Sequence, residues 1–209
     1  MKLIENKLNI PLDIIKYVNE FIKNEEITNS NINNAVKLWC DNKEKCLFVY
    51  GNISNWNVSK VTNMSQLFIQ QEHFNDDISN WNVSNVINMS QMFLGTELFN
   101  SDISNWNVSN VIDMCAMFSF TKSFNSDISN WNVSNVVNMS QMFAGTKVFN
   151  QNILNWNISN NADIFYMFLN AESFDAESFN EDISKFNSLE PNDVNSNHTK
   201  LGRILLFNY

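Results

Sequence analysis

Five tryptophans, Trp56, Trp81, Trp106, Trp131 and Trp156, recur at intervals of 25 residues. A spacing held to the residue over that length leaves few ways to fold, because each unit must occupy an equivalent environment. One unit reads Phe74-Asn75-Asp76-Asp77-Ile78-Ser79-Asn80-Trp81-Asn82-Val83-Ser84-Asn85-Val86-Ile87-Asn88-Met89-Ser90-Gln91-Met92-Phe93, and the units opening at Phe99, Phe124 and Phe149 repeat it almost unchanged. A single unit cannot bury its own Trp, Ile, Val, Met and Phe, so stability must come from stacking on neighbours. The register breaks at residues 171–180, where five residues are duplicated and Phe186 arrives in place of Trp, as expected of a degenerate terminal unit.

Within a unit, Ile78, Trp81, Val83 and Val86 have the spacing of the short strand of leucine-rich repeats, which predicts a strand centred on Trp81-Asn82-Val83. Val86, Met89, Met92 and Phe93 follow a three-then-one spacing that predicts a short helix capped by Ser84. Gly95 and Gly145 mark tight turns before the next Phe. The expected fold class is therefore an α/β repeat solenoid of leucine-rich-repeat-like, right-handed coils. Its core is expected to hold the five tryptophans with Phe93, Phe118, Phe143 and Phe168. Stacked Asn rows (Asn75, Asn100, Asn125, Asn150 and Asn80, Asn105, Asn130, Asn155) are expected to tie coil to coil. Three regions follow: a helical N-terminal capping region, 1–50; five to six coils, 51–188; and a linker with an apolar tail, 189–209. In the first region Leu12, Ile14, Ile15, Val18, Phe21 and Ile22 follow Pro11 with helical period. A second helix runs from Ser30 or Asn31 through Ile32, Ala35, Val36 and Trp39, its apolar face covering the open end of the first coil.

The surface of such a stack is polar but nearly uncharged. Only 17% of the 209 residues are Asp, Glu, Lys or Arg, whereas 40 are Asn, and the net charge is −9. Residues 61–184 hold 13 acidic residues against Lys122 and Lys147, so their net charge is 2 − 13 = −11, which disfavours nucleic-acid backbones. No apolar run is long enough to span a membrane. The first residues show neither a signal peptide nor a lipidation cysteine, which predicts an intracellular or virion-associated protein. Cys40, Cys46 and Cys115 lack metal-ligand spacing and predict no disulfide framework. Neither His73 nor His198 sits beside a nucleophile, so no catalytic pair is expected. The row Asp77, Asp102, Asp127, Asn152, Asp182 is read as turn-forming rather than as a calcium site. With four glycines in the chain there is no phosphate-cradling loop. No enzyme, cofactor or metal is expected, and the Asn-x-Ser sequons are read as by-products of the repeat.

The segment Asn34-Ala35-Val36-Lys37-Leu38-Trp39, followed by Tyr50-Gly51-Asn52-Ile53-Ser54-Asn55-Trp56-Asn57-Val58-Ser59-Lys60-Val61-Thr62-Asn63-Met64-Ser65-Gln66-Leu67-Phe68 and the units after it, resembles the BspA-like leucine-rich repeat family. The resemblance covers residues 27–186. Members are largely bacterial surface or secreted proteins, with expanded sets in protists and large DNA viruses, so the resemblance implies adhesion or protein binding. The opening Ile10-Pro11-Leu12-Asp13-Ile14-Ile15-Lys16-Tyr17-Val18 is also similar to the start of an F-box, which implies a ubiquitin-ligase adaptor as an alternative. The expected function is a non-catalytic protein-binding scaffold. The contact residues are expected to flank the strand: Asn80, Asn82 and Ser84, then Asn105, Asn107, Ser109, Asn130, Asn132, Ser134, Asn155 and Asn157. The partner is expected to be a protein, with self-association as a further possibility. The near identity of these rows also suits a periodic ligand, such as a glycan, ice or another copy of the chain.

Overall fold

The structure is a computed structural model, and it describes residues 25–174. The helix expected after Pro11, the F-box-like opening, the unit at Phe186, Asp182, His198, the linker and the apolar tail lie outside the described residues. Two helices open the described chain: α1, Ile32–Asp41, and α2, Lys43–Tyr50, followed by a 3-10 turn at Ile53–Asn55. Asn31 precedes α1, whose buried residues Ile32, Ala35, Val36 and Trp39 form the face that joins the core.

From residue 51 the 25-residue units stack in register, joined by parallel bridges Asn63 to Asn88, Asn88 to Asp113, Asp113 to Asn138 and Asn138 to Asp163. The backbone rule is an alternation. The N–H groups of Met89, Gln91, Phe93 and Gly95 donate to the carbonyls of Asp113, Cys115, Met117 and Ser119 in the next unit, at 2.8–2.9 Å. Those of Met92, Leu94 and Thr96 instead close turns onto Met89, Gln91 and Phe93, at 2.9–3.2 Å. The pattern recurs from Met64, Met114 and Met139.

This alternation replaces the strand and the helix expected in each unit. Trp81-Asn82-Val83 has no strand pairing, and the residues after Ser84 form successive turns. The three-then-one apolar spacing is satisfied all the same, because Val86, Met89, Met92 and Phe93 are all fully buried. A helix would spend every N–H internally; turns leave alternate donors for the neighbouring unit. They require left-handed backbone twice per unit: at Gln66, Gln91, Ala116, Gln141 and Tyr166 (φ 50° to 60°), and four residues later at Gln70, Gly95, Phe120, Gly145 and Asn170 (φ 56° to 71°). Glycine is needed at the second position in alternate units. A Cβ on Gly95 would lie 2.5 Å from Gln70 Nε2, and one on Gly145 would lie 2.6 Å from the Phe120 ring.

Aromatic columns fill the interior. Phe68, Phe93, Phe118, Phe143 and Phe168 stack with ring centroids 5.3–5.8 Å apart. Each also stacks on the Phe six residues later, Phe74, Phe99, Phe124, Phe149 or Phe174, at 3.8–4.1 Å. All five repeat tryptophans are buried. The indole N–H of Trp81, Trp106, Trp131 and Trp156 donates to the carbonyl of Ile53, Ile78, Ile103 and Ile128 in the unit before, at 2.9–3.3 Å. Buried Thr96 and Thr121 do the same toward Phe68 and Phe93. Of the two expected Asn ladders, one forms: the Asn100, Asn125 and Asn150 N–H groups donate to Oδ1 of Asn75, Asn100 and Asn125 at 2.8–2.9 Å. The row Asn80, Asn105, Asn130, Asn155 is exposed and forms no ladder among the described residues, because the flanking Trp side chains turn inward and carry the inter-unit bond themselves. Its place is taken by Asn85, Asn110 and Asn135, whose Nδ2 donates to the carbonyls of Ser59, Ser84 and Ser109 at 2.7–2.8 Å.

The first unit has no unit before it, and Asn29 substitutes for one. Elsewhere two successive N–H groups share one carbonyl, as Ile87 and Asn88 do with Thr62 at 2.8 and 3.3 Å. In the first unit, Thr62 and Asn63 share Asn29 Oδ1 at 2.9 and 3.2 Å, and Asn29 Nδ2 donates to Thr62 Oγ1 at 2.8 Å. The helical cap is also tied to the second unit: Trp39 Nε1 and Lys43 Nζ both reach Asp76, at 2.8 and 2.7 Å, and Lys43 lies over the Trp39 ring.

Two outcomes are expected in denaturant titrations. Trp106→Ala, which opens a cavity in the central unit and orphans the Ile78 carbonyl, should cost about 3–5 kcal/mol. Asn29→Ala should cost about 1 kcal/mol, with faster hydrogen exchange at Thr62 and Asn63 while amides of the central units are unaffected.

Candidate interaction surface

The eleven residues expected to make contact fall into three groups. Asn80, Asn105, Asn130 and Asn155 are exposed, and no hydrogen bond from their side chains is formed among the described residues. Asn82, Asn107 and Asn132 are exposed as well, but each Oδ1 accepts the N–H of Ser84, Ser109 or Ser134 two residues on, at 3.1–3.2 Å. Asn157 is exposed at the equivalent place. The three serines are half-buried, and the carbonyls of Ser84 and Ser109 accept from the next unit. The side chains of the first group are thus exposed and uncommitted among the described residues, the second group keeps its Nδ2 donor, and the serines belong to the packed stack.

The same turn explains the sequons. An Asn side chain accepts from the Ser two residues later at Asn57, Asn82, Asn107 and Asn132, and again at Asn63, Asn88 and Asn138, so Asn-x-Ser recurs as a turn motif. Asp77, Asp102 and Asp127 serve identically, with Oδ1 accepting from the N–H of Ser79, Ser104 and Ser129 at 2.9 Å. The Ser79 and Ser104 hydroxyls, then their N–H groups, hold the Asp77 and Asp102 carboxyls below the usual range, against a small opposing push on Asp102 from its charged neighbours. For Asp127 the Ser129 N–H leads and the hydroxyl follows. Among the described residues no group of three or more His, Cys, Asp or Glu side chains is placed to hold a metal ion. His73 is exposed, and burial pushes the Cys40 and Cys46 thiols up to about 11, which leaves them protonated and unreactive at neutral pH.

The spacing argument missed one surface. Ile87, Ile112 and Val137 occupy one position in successive units and are 45–49% exposed. They are direct neighbours, since Ile112 N–H donates to Ile87 O at 2.8 Å and Val137 N–H to Ile112 O at 2.9 Å. The signal was present in the sequence: each follows a buried Val, so the two cannot share a face. The adjacent row reads Asn88, Asp113, Asn138, Asp163, with carboxylates in alternate units. Elsewhere charge is paired across units, Lys122 with Glu97 and Lys147 with Glu172.

The Asp turns predict a pH dependence. Their ionised forms are favoured only in the folded chain, so this contribution is fully present above the ordinary Asp value of 3.8 and is lost as pH falls through the lower folded values. Replacing Asp77, Asp102 and Asp127 together by Asn keeps the turn acceptor, as Asn152 does naturally at 3.0 Å. The triple variant should match the parent in urea midpoint at pH 6 and lose less stability than the parent below pH 3.8, measured by urea titrations down the acid range.

A family model described as "Mycoplasma protein of unknown function, DUF285" matches residues 34–127 and again 102–200. The overlap of the two matches is what a repeating unit produces. No curated protein and no solved structure matches the chain significantly. No helix among the described residues is long and apolar enough to cross a membrane. Together the two matches cover residues 34–200, well over half of the sequence, and the chain belongs to the DUF285 family.

Proposed function

We propose that this chain is a non-catalytic protein-binding scaffold of the BspA-like leucine-rich repeat type, a solenoid of right-handed coils that mediates protein–protein interaction or adhesion through its Asn face. The observation that carries this reading is the row Asn80, Asn105, Asn130, Asn155. In a stack where the turn, ladder and indole groups are used for cohesion, these exposed amides take no part in holding the units together. Amides presented at unit spacing on a rigid frame lose little conformational entropy on binding. Catalysis is disfavoured for a physical reason: acid–base chemistry needs two groups in unlike environments, whereas stacking makes equivalent residues alike.

A second reading draws support from the near identity of the rows. A surface shaped by one protein partner is expected to differ from unit to unit, while a repeated one suits a periodic ligand, a glycan or the chain itself.

Affinity capture from native lysate with Asn105→Lys/Asn130→Lys separates these readings, with Trp106→Ala as the disrupted-stack control. The double variant touches no internal hydrogen bond and should keep the parent's thermal stability. A stoichiometric protein captured by the parent and lost in both variants is the expected result. A protein retained by the double variant would remove the Asn face from the function, and recovery of bait alone, with retention on a polysaccharide column, would favour the periodic ligand.

A further inference from the structure

We propose that the chain's own C-terminal segment, residues 200–207, docks along the Ile87–Ile112–Val137 row, with Lys200 and Arg203 set against Asp113 and Asp163. This goes beyond the Asn-face reading and does not depend on it.

The row leaves large apolar side chains uncovered at one position in three successive units, whereas Leu98, Phe120 and Val148 are exposed without an apolar residue at the same position in the next unit. Exposed apolar residues aligned in one line mark a contact surface more than isolated ones do. The row beside it supplies the charge. Asp113 and Asp163 each give one carboxylate oxygen to a turn, accepting the N–H of Cys115 and Phe165 at 2.9 Å, and neither is ion-paired among the described residues.

The complementary sequence lies in the chain itself. Residues 61–174 contain nine acidic residues against Lys122 and Lys147, a net 2 − 9 = −7, whereas residues 196–207 contain Lys200 and Arg203 and no acid. In the segment Lys200-Leu201-Gly202-Arg203-Ile204-Leu205-Leu206-Phe207, the basic residues are three apart, and so are Leu201, Ile204 and Phe207. In an extended chain with three residues per turn, such positions fall on one side about 9.3 Å apart. Asp113 and Asp163 are two units apart, which at strand spacing is about 9.6 Å. A basic line and an apolar line on the segment thus match an acidic line and an apolar line on the stack. The linker read from the sequence, residues 189–199, could reach about 36 Å when extended, enough to return along several units at strand spacing. An intramolecular tether also raises the effective concentration to the millimolar range, favouring the chain's own segment over that of a second copy.

The test uses the full chain, as an equal mixture of unlabelled and 15N-labelled protein, treated with a carbodiimide that joins an amine to a carboxylate without a spacer. The expected product joins Lys200 to Asp113 or Asp163, in all-light or all-heavy pairs. Its yield should fall several-fold in Ile112→Asn and in Arg203→Glu; the second variant changes a residue outside the described stack and keeps the test valid if the first misfolds. Mixed light–heavy pairs would overturn the proposal in favour of a second copy. Absence of a Lys200 cross-link to either Asp, or an unchanged yield in Arg203→Glu, would overturn it outright.

Discussion

Each unit uses its backbone N–H groups alternately, one to close a turn on itself and the next to bond the unit that follows. Everything else depends on this division. It makes units inseparable from their neighbours, because a unit alone would leave half of these donors without their partners in the fold. It also sets the register, since the donors and carbonyls of successive units pair one to one. Aromatic packing follows from that register: the Phe rings lie within 5–8° of parallel from unit to unit because the backbones beneath them are superimposed by hydrogen bonds. Burial supplies the larger share of the stabilisation, while the hydrogen bonds decide which arrangement receives it.

The sequence made the period, the core and the stacking legible, and it misled at the level of secondary structure. Trp, Ile, Val, Met and Phe at fixed offsets identify the inner face whatever the backbone does between them. The same spacing at Val86, Met89, Met92 and Phe93 fits a helix and a run of turns equally well, since both bring every third or fourth residue inward. What distinguishes them is left-handed backbone, and only Gly95 and Gly145 announce it; Gln66, Gln91, Gln141 and Phe120 adopt it without any signature in residue type. The Asn ladders were half legible for a similar reason. Periodicity shows that Asn recurs, but an Asn that bonds to the next unit, one that caps its own turn and one left in water look alike in a sequence.

Departures from the repeat proved as informative as the repeat. Asp76 stands where later units carry Ser101, Ser126 and Gln151, and it is the residue that Trp39 and Lys43 of the cap engage. Asn29 lies outside the repeat and lends its side-chain oxygen to two N–H groups that would otherwise await a preceding unit. Asp113 and Asp163 replace Asn88 and Asn138 without disturbing the turn, because either side chain offers the same acceptor. Either residue closes the turn at that row, so the turn does not dictate the charge pattern there.

The alternating segment of each unit ends at the second left-handed residue, and the loop that follows bonds the unit before it at single points, as Leu98 N–H does to Glu72 O at 3.0 Å and Ser123 N–H to Glu97 O at 2.9 Å. In the sequence, the duplication at residues 171–180 begins directly after Asn170, the second left-handed residue of its unit. A gene built this way can lengthen or shorten by recombination between units, with every in-frame product inheriting a complete set of mating surfaces, so the length of the stack is open to adjustment while its cross-section stays constant.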